Sequence, residues 1–355
     1  MRCPAHSVPR LPGLPRAAAA RIAWALVFFL GLTLRAFAAE RVEFTWPTPS
    51  KAWEVGRAVR TMLQDAGSGD PESGAFGGVR SGGRQFHEGI DIKASARDRR
   101  GEPADSVFAA MDGVVRHVNA TAGDSNYGRY VVIEHPDQTP AVYTLYAHLA
   151  RIQPGLTSGA HVSRGQVLGL MGHSSNGNIP RDRAHLHFEM GLMVTRDFQS
   201  WYRSRKFGSP NEHGLWNGMN LMGFDPLDFL EKWRARKVNT FQDYFAQVPA
   251  AVRLRIGTRR VPDFVLRYPS LLTSPLPAAV GGWEIAFDWT GLPISWTPLT
   301  GAETIGLREG QPRILAVDAA IERRERSRTL VVSRRGNWTP AHDLETVLQQ
   351  LFGMR

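Results

Sequence analysis

The 355-residue chain is 43% apolar and 21% charged, with a formal net charge of +10. This excludes a disordered tail protein and gives enough chain for one large or two ordinary domains. The basic excess favours an anionic partner, yet no basic-aromatic nucleic-acid motif accompanies it, so no nucleic acid is expected.

Residues 1–39 read as a secretory signal peptide. Arg2, Arg10, Arg16 and Arg21 form a positive leader, IAWALVFFLGLTL (22–34) is its apolar stretch, and Ala36 and Ala38 precede a cleavage point near Ala38 or Ala39. The apolar stretch spans about 20 Å as a helix, short of the roughly 30 Å hydrocarbon core, so contact with the membrane is expected only through this transient leader. Export across an inner membrane to the periplasm or cell envelope follows. The single cysteine, Cys3, leaves with the leader, and the mature chain then has no disulfide and no thiolate metal site. Any metal must be held by His, Asp or Glu.

Residues 40–85 read as a strand, a helix and a loop. FTWPTP (44–49) is an opening strand that stops at its prolines. SKAWEVGRAVRTMLQDAG (50–67) predicts a helix capped by Ser50, with Val55, Val59, Met62 and Leu63 on one face and Gly67 as its stop. A Gly- and Ser-rich loop follows. From about 86 to 190, short β-branched and aromatic runs predict strands: SVFAA, GVVRHV, RYVVIEH, AVYTLYAH, GQVLGLMG and AHLHFEM. Turn residues such as Asp112-Gly113 separate them, which favours antiparallel sheets over βαβ units. DPLDFLEKW (225–233) starts a helix with Asp225 as cap and Pro226 in the first turn. Residues 246–355 read as a small α+β region of unknown role. Its closing helix, TPAHDLETVLQQLF (339–352), is expected to be capped by Thr339, with Leu344, Val347, Leu348 and Leu351 on one face. ERRERSR (322–328) reads as a solvated face or a binding patch.

Three short motifs carry chemistry. In RAHLHFEM (183–190), strand geometry puts His185 and His187 on one face and Leu186 and Phe188 on the other. In HEGID (87–91), His87 and Asp91 would stand about 13 Å apart in a straight strand, too far to share an ion. The chain must bend there, and Gly89 allows it. In LYAHL (145–149), His148 ends a strand. His87, Asp91 and one histidine of the later pair make a three-ligand N/N/O set with a free fourth position, the pattern of a catalytic zinc. No HExxH helix is present. Glu88 is a weak candidate base, and Glu189, on the strand face of His187, is an outer partner or a structural charge.

The ordered set HxGxD, YxHL, HLHFE resembles the lysostaphin-type zinc endopeptidases, also called the LytM-domain family. VFAAMDGVVRHV (107–118), YGRYVVIEH (127–135) and VSRGQVLGLMG (162–172) strengthen the resemblance, which covers roughly residues 76–190. It implies antiparallel sheets forming a groove, a sandwich/barrel hybrid with peripheral helices, over 86–235. It implies one Zn2+ held by His87, Asp91 and His187, with His148 and His185 as the non-ligand catalytic histidines. It implies hydrolysis of peptide cross-links in peptidoglycan, whose stem peptides would be the partner. A non-catalytic activator or binding module for other wall hydrolases is the alternative within this fold, and a regulatory protein partner is compatible with either.

The chain departs from the family in three stretches: residues 50–80, a lengthened GHSSNGNIPRDRAHLHFE, and 195–218. All three are expected near the groove. Stem peptides carry free carboxylates, so Arg80, Arg84 and Arg183 are candidate substrate contacts.

Overall fold

The computed structural model describes residues 41–353, so the expected signal segment lies outside the described residues. The class is mainly antiparallel β, with short helices at the periphery. In chain order the strands are β1 (Gly77–Arg80), β2 (Gln85–His87), β3 (Ile90–Lys93), β4 (Ser106–Phe108), β5 (Gly113–Asn119), β6 (Tyr130–Glu134) and β7 (Tyr143–Ala147). Then follow β8 (Arg151–Ile152), β9 (His161–Val162), β10 (Val167–Leu170), β11 (His185–Met193) and β12 (Leu221–Gly223). The C-terminal region holds β13 (Val252–Gly257), β14 (Gly282–Phe287), β15 (Pro293–Leu299), β16 (Pro312–Val317), β17 (Val331–Arg334) and β18 (Asn337–Pro340).

The principal sheet runs β12-β11-β7-β6-β5-β9, and β3 also pairs with β11. β11 is its organiser. Along one edge its first half pairs with β3 and its last three residues with β12, and along the other it pairs with β7. All nine of its residues are buried. Leu186, Phe188, Met190 and Leu192 enter the main apolar core, while His185, His187 and Glu189 alternate to the opposite face. Each large apolar side chain so buried contributes about 2 kcal/mol, enough to hold the strand's register against a one-residue slip. That register sets His187 opposite Asp91 on one side and Ala147 on the other, one residue before His148.

A smaller sheet, β4-β10-β8, packs beside the principal one. The C-terminal sheet runs β15-β14-β13-β16, and β17 and β18 form a hairpin. Apolar burial is continuous from Val42 to Phe352.

Several local expectations are corrected. The segment 50–67 is not one helix. Ser50 does cap a helix, accepting from the Trp53 N–H, but that helix is only Lys51–Glu54. Gly56 takes a left-handed φ of +73°, which ends it, and a 3-10 turn at Val59–Met62 buries Val59 and Met62 while Val55 stays 72% exposed. Residues 44–49 join no sheet. They make isolated bonds, from Thr45 N–H to Ala110 and from Phe108 N–H to Pro47, because Pro47 and Pro49 have no N–H for a ladder. The loop after residue 67 contains a 3-10 turn at Pro71–Gly74 and the strand β1. Thr339 does not cap the last helix. It pairs with Val332 in the β17–β18 hairpin, so His342–Phe352 starts after Ala341. Its face of Leu344, Val347, Leu348 and Leu351 is buried, and Asp225 caps Pro226–Arg234 through the Leu227 and Asp228 N–H groups.

Candidate metal centre

Four elements bring the chemistry together. β2 ends in His87, β3 carries Asp91, β11 carries His185 and His187, and the residue after β7 is His148. The bend between β2 and β3 falls at Glu88-Gly89. Gly89 is needed there for space: a Cβ on it would sit 2.3 Å from the Phe188 carbonyl oxygen of β11. With that contact open, His87 Nε2 stands 3.1 Å from Asp91 Oδ1, although the two residues are four apart.

Three ligand-type atoms converge. His187 Nδ1 lies 3.0 Å from Asp91 Oδ1 and 3.0 Å from His87 Nε2. His87, Asp91 and His187 are buried, and among the described residues they form a group whose ligand-type atoms lie close enough together to share a metal ion. Each histidine has its other nitrogen engaged: His87 Nδ1 donates to the Ala75 carbonyl at 2.7 Å, and His187 Nε2 donates to Glu189 Oε1 at 3.0 Å. Those two bonds put the protons on the far nitrogens and leave two ring lone pairs and a carboxylate oxygen facing one another. Such a cluster requires positive charge at its centre, and the donor set suits a divalent ion of the zinc type.

The electrostatics agree. Against the cost of burial, His185 and His87 hold the Asp91 carboxyl well below its usual range. Burial disfavours a charged His187, yet Asp91 and Glu189 raise it to about 10. Arg80 completes the surroundings by pairing with Asp91 through Nη2 and Oδ2, while its Nε donates to the Ser73 carbonyl at 3.0 Å.

Glu189 is 1% exposed and is held by three donors. They are His187, the Tyr127 hydroxyl at 2.6 Å and the Tyr143 hydroxyl at 2.9 Å. Burial, with the Glu189 charge, pushes both tyrosines well above their usual range, so they remain hydroxyl donors. Neither tyrosine was singled out from the sequence. Tyr127 lies 62 residues before Glu189, and no spacing rule links a turn residue to a strand that distant.

His148 and His185 flank the cluster. His148 adopts a left-handed φ of +60°, an uncommon conformation for a non-glycine residue at the end of a strand. Its Nδ1 donates to the Ser174 carbonyl at 2.9 Å, which leaves Nε2 as an acceptor. Burial, then the neighbouring His185 and His187, push His148 well below the usual histidine range, so it is neutral. His185 Nδ1 donates to the Arg183 carbonyl at 2.7 Å, and its Nε2 lies 3.4 Å from Asp91 Oδ1. The two rings meet edge-on at 4.9 Å.

These residues line a cleft of about 390 Å³. Asp65 from the first departing stretch and Ser175, Ile179 and Arg183 from the second also line it. Arg183 lies against Gly67, Arg80 reaches Asp91, and Arg84 is exposed at the turn between β1 and β2, outside the cleft lining.

A family model for peptidase family M23 matches residues 85–196, about a third of the chain. Among solved structures the chain is similar to a zinc-containing peptidase from Vibrio cholerae, at 22% identity over 42% of this chain and 33% of that one, TM-score 0.24. It therefore spans about a third of that protein's length. It is similar to the catalytic domain of the prophage-encoded M23 protein EnpA from Enterococcus faecalis, at 24% identity over 37% and 86%, TM-score 0.26. It is also similar to the catalytic domain of the antimicrobial peptidase lysostaphin from Staphylococcus simulans, at 18% identity over 42% and 82%, TM-score 0.25. No curated protein matches the chain.

Proposed function

We propose that the chain, whose residues 85–196 match the model of peptidase family M23, is an exported zinc endopeptidase that cuts peptide cross-links of bacterial peptidoglycan. The observation that carries this reading is the convergence of His87 Nε2, His187 Nδ1 and Asp91 Oδ1 within 3.1 Å of one another, each histidine with its other nitrogen already donating. The complete ligand set speaks against a non-catalytic activator of the same fold. Among the described residues no helix is long and apolar enough to cross a membrane.

In this reading His87, Asp91 and His187 hold one zinc ion. When bound, zinc supplies Lewis acidity, acidifying a water and polarising the scissile carbonyl. His148, neutral and with a free Nε2, takes the proton from the attacking water and returns it to the leaving amine. His185, its Nδ1 held by the Arg183 carbonyl, presents Nε2 to the oxygen on which charge develops. Glu189 keeps the His187 proton on Nε2, so that Nδ1 stays a ligand. Arg80 positions the Asp91 carboxylate through its second oxygen. Arg183 remains a candidate contact for a substrate carboxylate at the cleft wall. Arg84 could fill that role only for substrate reaching beyond the cleft.

The test is digestion of purified cross-linked sacculi by zinc-loaded protein, with and without a chelator, followed by mass analysis of the fragments. Release of peptide fragments with new amino termini, abolished by the chelator and restored by zinc, is expected. Intact sacculi under all conditions would remove the endopeptidase reading.

A further inference from the structure

The cleft does not end at the metal-holding cluster. A second basin of about 670 Å³ adjoins it, and Phe86, Glu88, Asn126 and Tyr127 line both. The far wall of this basin comes from outside the M23 segment. Residues 201–219 supply Trp201, Arg205 and His213, and the C-terminal region supplies Arg328, His342 and Asp343.

The C-terminal region is docked against the strand that carries His87. Trp289, at the tip of the β14–β15 hairpin, meets Phe76 at 6.0 Å and Phe86 at 5.6 Å, ring to ring. Asp288 sets that tip by accepting from the Thr290 and Leu292 N–H groups. Arg328 lies over the Phe86 ring at 4.1 Å, one residue from His87. It ends the ERRERSR stretch, in which Arg323, Arg324 and Arg326 are exposed and Arg328 alone among the arginines faces the basin.

Arg328 has unused capacity. Stacking on Phe86 occupies its face and leaves the N–H edge for a planar anion. Its carboxylate neighbour is Asp343, at 3.6 Å, too long for a hydrogen bond, and Asp343 already accepts from the Thr329 N–H at 2.7 Å. Arg328 Nε is buried and has no hydrogen-bond partner among the described residues, so it is the Nη N–H groups of this one-third exposed side chain that are offered to the basin. Around it the charges are mixed, Arg205 and Arg328 against Glu88, Asp124 and Asp343. A polyanion would meet repulsion there, whereas a peptide bearing both signs would not.

We propose that this basin is a second substrate-binding subsite, built jointly by residues 201–219 and the C-terminal region, and that Arg328 receives a carboxylate of the peptide whose amide is cut in the neighbouring cleft. The inference rests on the endopeptidase reading above. It gives the C-terminal region a specificity role: substrate extends from the metal-holding cluster, past Tyr127 and Phe86, to Arg328.

The probe is a fluorescently labelled stem tetrapeptide with free carboxylates, compared with a twin in which they are amidated. Anisotropy is read on zinc-loaded full-length protein. The parent is expected to bind the free peptide roughly tenfold more tightly than the amidated twin, as suits a charge-assisted hydrogen-bonded pair. Arg328→Gln and Arg328→Met are expected to bind both twins alike, near the parent's affinity for the amidated one. Either variant suffices if it melts with the parent. A tenfold preference that survives both substitutions, or none in the parent, overturns the inference. Zinc-dependent digestion of sacculi by the parent is scored alongside. Its absence overturns the endopeptidase reading, whereas digestion without a twin preference overturns the Arg328 subsite alone.

Discussion

Glu189 Oε1 accepts the His187 Nε2 proton at 3.0 Å, from a side chain buried to 1% exposure. Two residues apart on one strand face, the pair decides which nitrogen of His187 is free to bind a cation. The Glu189 carboxylate is itself held by Tyr127 and Tyr143, so its orientation is not adjustable. Glu189→Gln must turn an amide NH2 towards one of these three donors. Zinc affinity is expected to fall by roughly 10–100-fold, the usual effect of losing such an outer partner. Competition with a chromophoric chelator measures it. Unchanged affinity would mean that the tautomer is set elsewhere.

His185 and His187 should separate cleanly. His187→Ala is expected to lose both zinc and activity. His185→Ala and His148→Ala are expected to keep the metal and lose activity by about 10²–10⁴-fold, the range for a general acid or base. Metal analysis of each purified variant beside its sacculus-digestion rate reads the difference. Metal release by His185→Ala with retention by His187→Ala would reverse the assignment within the pair.

Gly89 makes a purely steric prediction. Its φ is not in the left-handed region, but a Cβ would meet the Phe188 carbonyl oxygen at 2.3 Å and Glu189 Cγ at 2.9 Å. Gly89→Ala must push β3 away from β11, moving Asp91 relative to His187. A loss of about 1–3 kcal/mol in urea unfolding is expected, together with weaker zinc binding. Zinc affinity equal to the parent's would show that the bend tolerates displacement.

His135 supplies the pH dependence. It is buried, donating through Nδ1 to the Asp112 carbonyl at 2.7 Å, with Nε2 2.8 Å from the Thr144 hydroxyl. Burial lowers it to about 4, so the folded state keeps it neutral while the unfolded chain takes a proton near 6.5. Its contribution is therefore complete above pH 6.5 and is lost as pH falls towards 4, about 2 kcal/mol by pH 5. Chemical unfolding at pH 7.5 and 5.0 should show the parent losing about that much more than His135→Gln, which keeps a donor and an acceptor but does not titrate. Equal losses would assign the acid sensitivity to other groups.

The site was more legible than the surroundings that orient it. His87, Asp91, His148, His185 and His187 sit in short motifs whose residue types announce metal chemistry, and strand alternation places the histidine pair on one face. Their partners do not announce themselves. The Ala75 and Ser174 carbonyls that direct the His87 and His148 protons are backbone atoms, identical in every residue type. Tyr127 and Tyr143 read as ordinary strand and turn aromatics until the fold sets them on Glu189. The predicted 50–67 helix failed for a related reason. Its apolar spacing was acceptable, but Gly56 and the burial of Val59 and Met62 in the apolar core outweighed a local periodicity worth only tenths of a kcal/mol per residue.

By itself the sequence determined the strand-rich class, the thiol-free character of the chain after residue 3 and the five side chains at the cluster. Each is a local property, carried by residue type and by a period of two along a strand. Only the tertiary structure decided that Arg80 faces Asp91, that Glu189 assigns the proton of His187, and that Trp289 and Arg328 bring the C-terminal region to the edge of the cleft. Those contacts join residues up to about 240 positions apart in the chain, and which of many such pairs form depends on the packing of the whole core rather than on any short stretch.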